Sequence, residues 1–241
     1  MNFKNLIRST LNFLYLDLTK NLEYDRLTSK IMGGGAIKND SNCIDIGCHK
    51  GEILDIMLKN SPDGIHYGFE PLPYLYNELK NKYKDKATIL PYALSDKSGQ
   101  STFQYVKNAP AYSGIKKRRY DIDNPEIEEI EVEIKKLDET IPIDLKIDFI
   151  KIDVEGAEYG VLKGGEKLLK KHKPVIVFEF GLGASDYYET TPNDIFNFLT
   201  SDIGLQIFLL KSYLNSSKPL TLQEFTAYFQ TNKEYYFIAS A

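Results

Sequence analysis

The sequence predicts a doubly wound α/β domain built on a mostly parallel sheet. Three observations carry this. From residue 42 onward short apolar runs alternate with helical stretches. A glycine turn follows the first run, at Gly47 to Gly51. Acidic residues stand where several of the runs end, at Glu70, Asp153 and Glu179. Apolar strands that alternate with helices imply a sheet covered on both faces, and right-handed crossovers then place the helices.

The elements follow in order. Phe3, Ile7, Leu11, Leu14, Leu18 and Leu22 recur at steps of three and four, which predicts one face of a helix within an N-terminal extension over residues 1–35. It is read as a packing helix, with a membrane-surface or homodimer helix as the rival. Met32-Gly33-Gly34-Gly35 marks a flexible joint before the main domain, residues 36–241. Cys43-Ile44-Asp45-Ile46 is strand one, and Gly51 to Asn60 a helix with Ile53, Leu54, Met57 and Leu58 on one side. His66 to Glu70 is strand two, Tyr74 to Tyr83 its helix, and Thr88 to Tyr92 strand three. Phe149 to Asp153 and Val175 to Glu179 are strands four and five, with a helix over Val161 to Leu169 broken by Gly164-Gly165. Ile195, Phe196 and Leu199 mark a further helix, and Leu205 to Leu210 and Tyr235 to Ala239 two late strands.

Residues 99–136 break this rhythm. Ser101 to Val106 and Ile130 to Ile134 alternate with period two, which predicts a β-hairpin insertion with one wet face. Lys116-Lys117-Arg118-Arg119 lies between them and reads as a solvated loop tip, with an anchor for an acidic acceptor as the alternative.

The chain has 241 residues, enough for one sizeable core. Charged residues make up 27% and apolar ones 42%, ordinary globular usage that argues against disorder. A net charge of −4 gives no support to general nucleic-acid binding, which wants a basic face. The two cysteines, Cys43 and Cys48, leave no disulfide framework, so a reducing, cytoplasmic setting is expected. No apolar run is long enough to span a bilayer, and no signal peptide is read, since Asp17 follows the apolar Leu11 to Leu16 without a small-residue cleavage site.

Four segments can carry chemistry. In Asp45-Ile46-Gly47-Cys48-His49-Lys50-Gly51, Gly47 lets the backbone turn sharply, and a helix N-terminus follows with free N–H groups. The middle glycine of a dinucleotide turn is replaced by Cys48-His49, while Asp45 suits a ligand with a positive amino group. Glu70, in Gly68-Phe69-Glu70-Pro71, stands about 20 positions beyond the first turn, where a carboxylate accepts hydrogen bonds from a ribose diol. A helix-capping glutamate is the alternative. Ala93-Leu94-Ser95-Asp96 lies past strand three, where backbone groups can read an adenine edge; plain turn chemistry explains Asp96 equally well.

The densest segment is Ile150-Lys151-Ile152-Asp153-Val154-Glu155-Gly156-Ala157-Glu158. A buried strand ends there in three carboxylates at the carboxyl edge, where ligands bind in open α/β sheets. Asp153 is the candidate to orient an acceptor hydroxyl or draw off its proton; Glu155, Glu158 and, from strand five, Glu179 are the alternatives. Lys151 can neutralise a neighbour. His49 is a further candidate base, against the plainer reading of a hydrogen-bonded turn histidine. The carboxylates permit a hard cation such as Mg²⁺, but this is the lesser reading and no metal ligand set is assigned.

These segments together resemble the FkbM family of S-adenosylmethionine-dependent methyltransferases. The likeness rests on Cys43-Ile44-Asp45-Ile46-Gly47 through Gly51, on Gly68-Phe69-Glu70-Pro71, on Ala93-Leu94-Ser95-Asp96, on Asp148 through Glu158, and on Phe178-Glu179, and it covers roughly Cys43 to Leu210. It implies a Rossmann-like seven-strand methyltransferase sheet with a reversed last strand, which suits Tyr235 to Ala239. It also implies O-methylation of a small-molecule or glycan acceptor, often a sugar or secondary metabolite. By motif position Asp45, Gly47, Cys48 and Gly51 would hold the methionine end of S-adenosyl-L-methionine. Glu70 and Pro71 would hold the ribose, Ala93, Leu94 and Asp96 the adenine side, and Asp153 and Glu155 would face the methyl group. The family's usual Ala-Asn after the first glycine is Cys48-His49 here. A nicotinamide-dependent oxidoreductase and a non-catalytic methyltransferase-like module are the rival classes. The first requires the tighter glycine turn.

Overall fold

The structure is a computed structural model that describes residues 20–120 and 122–241. Of the N-terminal stripe, Phe3, Ile7, Leu11, Leu14 and Leu18 lie outside the described residues.

In chain order the elements are α1 (Lys20–Ile31), β1 (Cys43–Ile46), α2 (Glu52–Asn60), β2 (His66–Phe69), α3 (Pro73–Lys82), β3 (Thr88–Leu90), β4 (Tyr92–Leu94), β5 (Gly99–Val106), β6 (Ile127–Lys135), α4 (Leu137–Thr140), β7 (Phe149–Ile152), α5 (Glu158–Gly164), α6 (Glu166–His172), β8 (Val175–Glu179), α7 (Pro192–Asn197), β9 (Gln206–Leu209), α8 (Leu210–Leu214), α9 (Leu222–Thr231) and β10 (Tyr236–Ser240). Seven strands form one sheet in the order β3-β2-β1-β7-β8-β10-β9. β10 runs antiparallel to both β8 and β9, so the last strand is reversed. This is the Rossmann-like methyltransferase sheet that the family resemblance implies.

Period-two alternation sends side chains to two cores. Ile44, Ile46, Ile150, Ile152, Ile176 and Phe178 face one. Cys43, Phe149, Val177 and Ile238 face the other, where Leu54 and Met57 of α2 and Tyr24 and Leu27 of α1 meet them. Met32 is also fully buried there, and Gly35 turns the chain at φ 110°. At the expected joint the glycines are exposed, and the buried Met32 and Ile37 on either side of them anchor the bend that seats α1 on the sheet.

Several details differ from the sequence reading. Expected strand three, Thr88 to Tyr92, splits at Pro91. Proline has no N–H to continue a ladder, so β3 stays in the large sheet while β4 leaves to pair with β6. The expected hairpin is thus two strands of a three-stranded sheet, β4-β6-β5. Helix α9 was not expected at all, although its signals are present. Thr221 and Glu224 form a reciprocal capping box, and Phe225 and Phe229 stack on Phe180 at 5.4 and 4.6 Å. Truncating a buried phenylalanine such as Phe225 costs about 3–5 kcal/mol.

Candidate active site

The turn after β1 is held by alternating left-handed residues: Gly47 (φ 76°), His49 (φ 45°) and Gly51 (φ 80°). A Cβ on Gly47 would lie 1.9 Å from the carbonyl oxygen of Asp153, so no side chain fits there. The N–H groups of Gly47 and Cys48 both donate to the carbonyl of Phe69, at 3.0 and 3.1 Å. The turn is thereby laced to the end of β2. Glu70 completes the lacing: its carboxylate accepts the N–H of His49 at 2.9 Å and that of Leu72 at 3.0 Å. Burial pushes the Glu70 carboxyl up to about 7, against the downward pull of those two donors.

These residues wall a narrow, partly enclosed cleft. Gly47, His49, Glu70, Pro71, Ala93, Leu94, Asp153 and Glu155 line it. Pro110, Ala111, Ser113 and Ile115 of the insertion cover it from the other side. Asp45, Cys48, Gly51 and Asp96 do not line it. The Asp45 carboxylate is buried beneath the turn, 3.8 Å from Lys151 Nζ, and burial raises its carboxyl to about 6. Cys48 is buried against Gly68. Gly51 passes so close to the Tyr83 ring that a Cβ would meet its hydroxyl at 2.3 Å. Asp96 pairs with Lys163 at 2.7 Å on the surface. His49 reaches the cleft, and burial lowers its imidazole below the ordinary value, which keeps it neutral at pH 7.

A second basin, wider and more open, adjoins the cleft and shares Asp153, Glu155 and Ala111 with it. Its other walls include Tyr112, Arg118, Glu179, Asn232, Tyr235 and Tyr236. Asp153 sits at the junction. Lys151 Nζ lies 3.2 Å from its Oδ2, and the Tyr236 hydroxyl donates to the same oxygen at 2.6 Å. Burial would raise the Asp153 carboxyl, but the Lys151 charge and the hydrogen bonds from Tyr236, Glu179 and Lys151 outweigh it and hold it below the usual range. Glu179 moves the other way, pushed well up by burial and by the Asp153 charge, so it carries the proton that the two carboxyls share.

The turn after β7 is strained and clamped. Glu155 adopts φ 59° and Gly156 φ 104°. Glu158 Oε1 accepts the N–H groups of Val154 and Gly156 at 3.2 and 3.1 Å, which places it under the turn and away from both clefts. Glu155 is ion-paired with Arg118. The solvated tip expected at Lys116 to Arg119 is therefore corrected at Arg118, whose side chain is 8% exposed and stacks on Tyr112 and Tyr120. Lys116 is tied down as well: its N–H donates to the Tyr188 hydroxyl and its ammonium to the Tyr187 carbonyl. One oxygen each from Asp153, Glu155 and Glu179 comes within 4.8 Å of the others. Arg118 and the shared proton answer much of their charge.

Sequence reasoning missed Tyr236 and Tyr112, and it read Arg118 as part of a solvated loop tip or an anchor for an acidic acceptor, not as the partner of Glu155. A signal for Tyr236 existed. In a reversed last strand the first residue, not the last, lies beside the carboxyl ends of its neighbours, and Tyr236 indeed pairs with Glu179.

Among the described residues no helix is long and apolar enough to cross a membrane. No curated protein gives a significant match to the sequence. Among solved structures, Methyltransferase FkbM from Methylobacillus flagellatus KT superposes with a TM-score of 0.55 at 17% identity, over 89% of this chain and 48% of that one. The chain thus spans about half the length of that relative. An rRNA methylase from Streptococcus thermophilus (TM-score 0.42, 10% identity, 90% and 92% of the two chains) is a more distant likeness. So is the plantazolicin methyltransferase BpumL in complex with SAH (0.43, 13%, 90% and 82%). The Methyltransferase FkbM domain matches residues 45–204, which takes in the β1 turn, Glu70, the strained turn after β7 and Glu179. With two thirds of its length inside that match, and the sheet to go with it, the chain belongs to the FkbM methyltransferase family.

Proposed function

We propose that the chain is an S-adenosylmethionine-dependent O-methyltransferase whose acceptor is a hydroxyl of a sugar or of a secondary-metabolite-like molecule. The observation that carries this reading is the meeting of two clefts at Asp153: one narrow and lined by Gly47, Glu70 and Ala93, the other wider and polar.

The smaller cleft suits an adenosyl ligand. Gly47 keeps its floor free of a side chain, and the Glu70 carboxylate on its wall supports a contact with a ribose diol. Pro71 shapes the ribose end, and Ala93 and Leu94 flank the base. Asp45 under the turn adds negative charge at the amino-acid end. When bound, S-adenosylmethionine supplies an already activated methyl group. What remains for the protein is alignment, exclusion of water and handling of one proton.

Asp153 takes that proton from the acceptor hydroxyl, since its ionised form is stabilised by Lys151 and Tyr236. Glu179 keeps the dyad at one negative charge, and Glu155, on the same turn, helps orient the acceptor. Pro110 to Ile115 shield the junction from water. Tyrosines, asparagines and carboxylates around the basin favour a hydroxyl-rich acceptor. Two buried free thiols fit a reducing, cytoplasmic setting.

The test is incubation with methyl-labelled S-adenosylmethionine and a panel of sugars and hydroxylated small molecules. Labelled methyl ether is expected. Asp153→Asn lowers turnover about 10²–10⁴-fold while cofactor affinity stays near wild type. Absence of any ether product, or wild-type turnover in the variant, contradicts the reading.

A further inference from the structure

Tyr236 is contributed by β10, beyond the matched span of residues 45–204. Its hydroxyl donates to Asp153 Oδ2 at 2.6 Å, on the rim where both clefts meet. Its ring is fixed from behind. Tyr24 of α1 stacks on it at 4.8 Å with an interplanar angle of 27°, and the Tyr24 hydroxyl donates to Glu234 at 2.7 Å. Tyr235, the residue before it, packs edge-on against Tyr24 and donates to Asn21. A phenol braced in this way cannot turn to another partner without disturbing α1.

We propose that Tyr236 is the positioning residue for the proposed base, fixing the rotation of the Asp153 carboxylate and favouring its ionised form, and that α1 serves the site by bracing Tyr236 through Tyr24. This deepens the reading of Asp153 above and rests on it. The physical ground is that a carboxylate near a wide, open basin is free to rotate unless donors hold it. Lys151 and Tyr236 both reach Oδ2, so they set one rotamer. Lys151 is shared with Asp45 and with the carbonyl of Gly47, at 3.3 Å, so its charge serves the cofactor turn as well. Tyr236 has no such second duty. The other groups that face Asp153 are Asp45 of β1, Glu179 of β8, Glu158 of α5, His49 of the β1 turn, and Glu155 with its partner Arg118. Tyr236→Phe leaves all of them in place.

The experiment follows carboxyl carbons by NMR in full-length protein labelled at aspartate and glutamate, with Asp153→Asn identifying the Asp153 signal. Tyr236→Phe removes one hydrogen bond to the ionised form, so the Asp153 titration should rise by about one to two pH units. The acid limb of the methyl-transfer pH profile should rise equally, with the KM for S-adenosylmethionine unchanged. Tyr24→Leu, which leaves the Tyr236 hydroxyl but removes its brace, should give a smaller shift of the same sign. A ring-fluorinated tyrosine at position 236, a stronger donor, should shift the titration downward, and it decides the matter if Tyr236→Phe fails to fold. An Asp153 titration unmoved by Tyr236→Phe or by the fluorinated residue overturns the proposal. Failure of the wild-type protein to bind S-adenosylmethionine is a separate result: it removes the functional reading and leaves the NMR shift to report the pairing.

Discussion

The guanidinium of Arg118 is ion-paired with the carboxylate of Glu155, and this contact ties the insertion between β5 and β6 to the strained turn after β7. Both partners are largely shielded, at 8% and 16% exposure. Breaking such a pair from one side leaves an uncompensated charge. Arg118→Met should therefore lower unfolding stability by about 3–5 kcal/mol. It should also make the segment from residue 107 to 126 readily cleaved by protease. Chemical denaturation and limited proteolysis check this, and wild-type behaviour in both would show that the pair does not hold the strap.

Gly47 allows a second prediction. Its φ is 76°, and a Cβ there would stand only 1.9 Å from the Asp153 carbonyl oxygen, which leaves alanine nowhere to go. Gly47→Ala must push the β1 turn away from β7, at a cost of about 3 kcal/mol or more, and should spoil the smaller cleft. Denaturation midpoints and cofactor titration read both effects. A variant as stable as wild type would mean that the turn relaxes without strain.

The pH dependence follows from Glu70, raised to about 7 by burial. A diol donates hydrogen bonds, which favours the ionised carboxylate. Cofactor affinity should thus rise with pH through about 7, with a proton released on binding below that point. Calorimetry in two buffers of different ionisation heat measures the proton. In the cofactor-free protein the sign for stability is opposite. A carboxyl with a raised folded value binds its proton more tightly when folded, so its contribution is complete below the ordinary carboxylate range and is lost as pH rises. Glu158 (about 7) and Asp45 (about 6) act in the same sense. Stability of the cofactor-free protein should decline between about pH 5 and 7. Asp153, shifted downward, acts in the opposite sense and below this window.

The large sheet was legible because its strands are mostly apolar and end at marked residues. Gly47, Glu70 and Asp153 each sit where the polypeptide leaves a buried strand, and such positions are visible in one dimension. Pro91 also shows its effect in sequence, but the apolar residues on either side of it concealed the break between β3 and β4. Tyr236, Tyr112 and Arg118 were less visible. Their roles depend on a reversed strand and on an insertion that folds back over the rim, and both are long-range facts. Asp45 illustrates the converse. Its place in the motif was plain, yet only the register of β1 against β7 reveals it buried beside Lys151.

The most direct measurement is a calorimetric titration of the wild-type protein and of Glu70→Ala with S-adenosylmethionine, S-adenosylhomocysteine and NAD. Binding of both sulfur nucleotides and not of NAD is predicted, with affinity about 10- to 100-fold weaker in Glu70→Ala. Binding of NAD alone, or sulfur-nucleotide affinity indifferent to Glu70, would contradict the assignment of the smaller cleft.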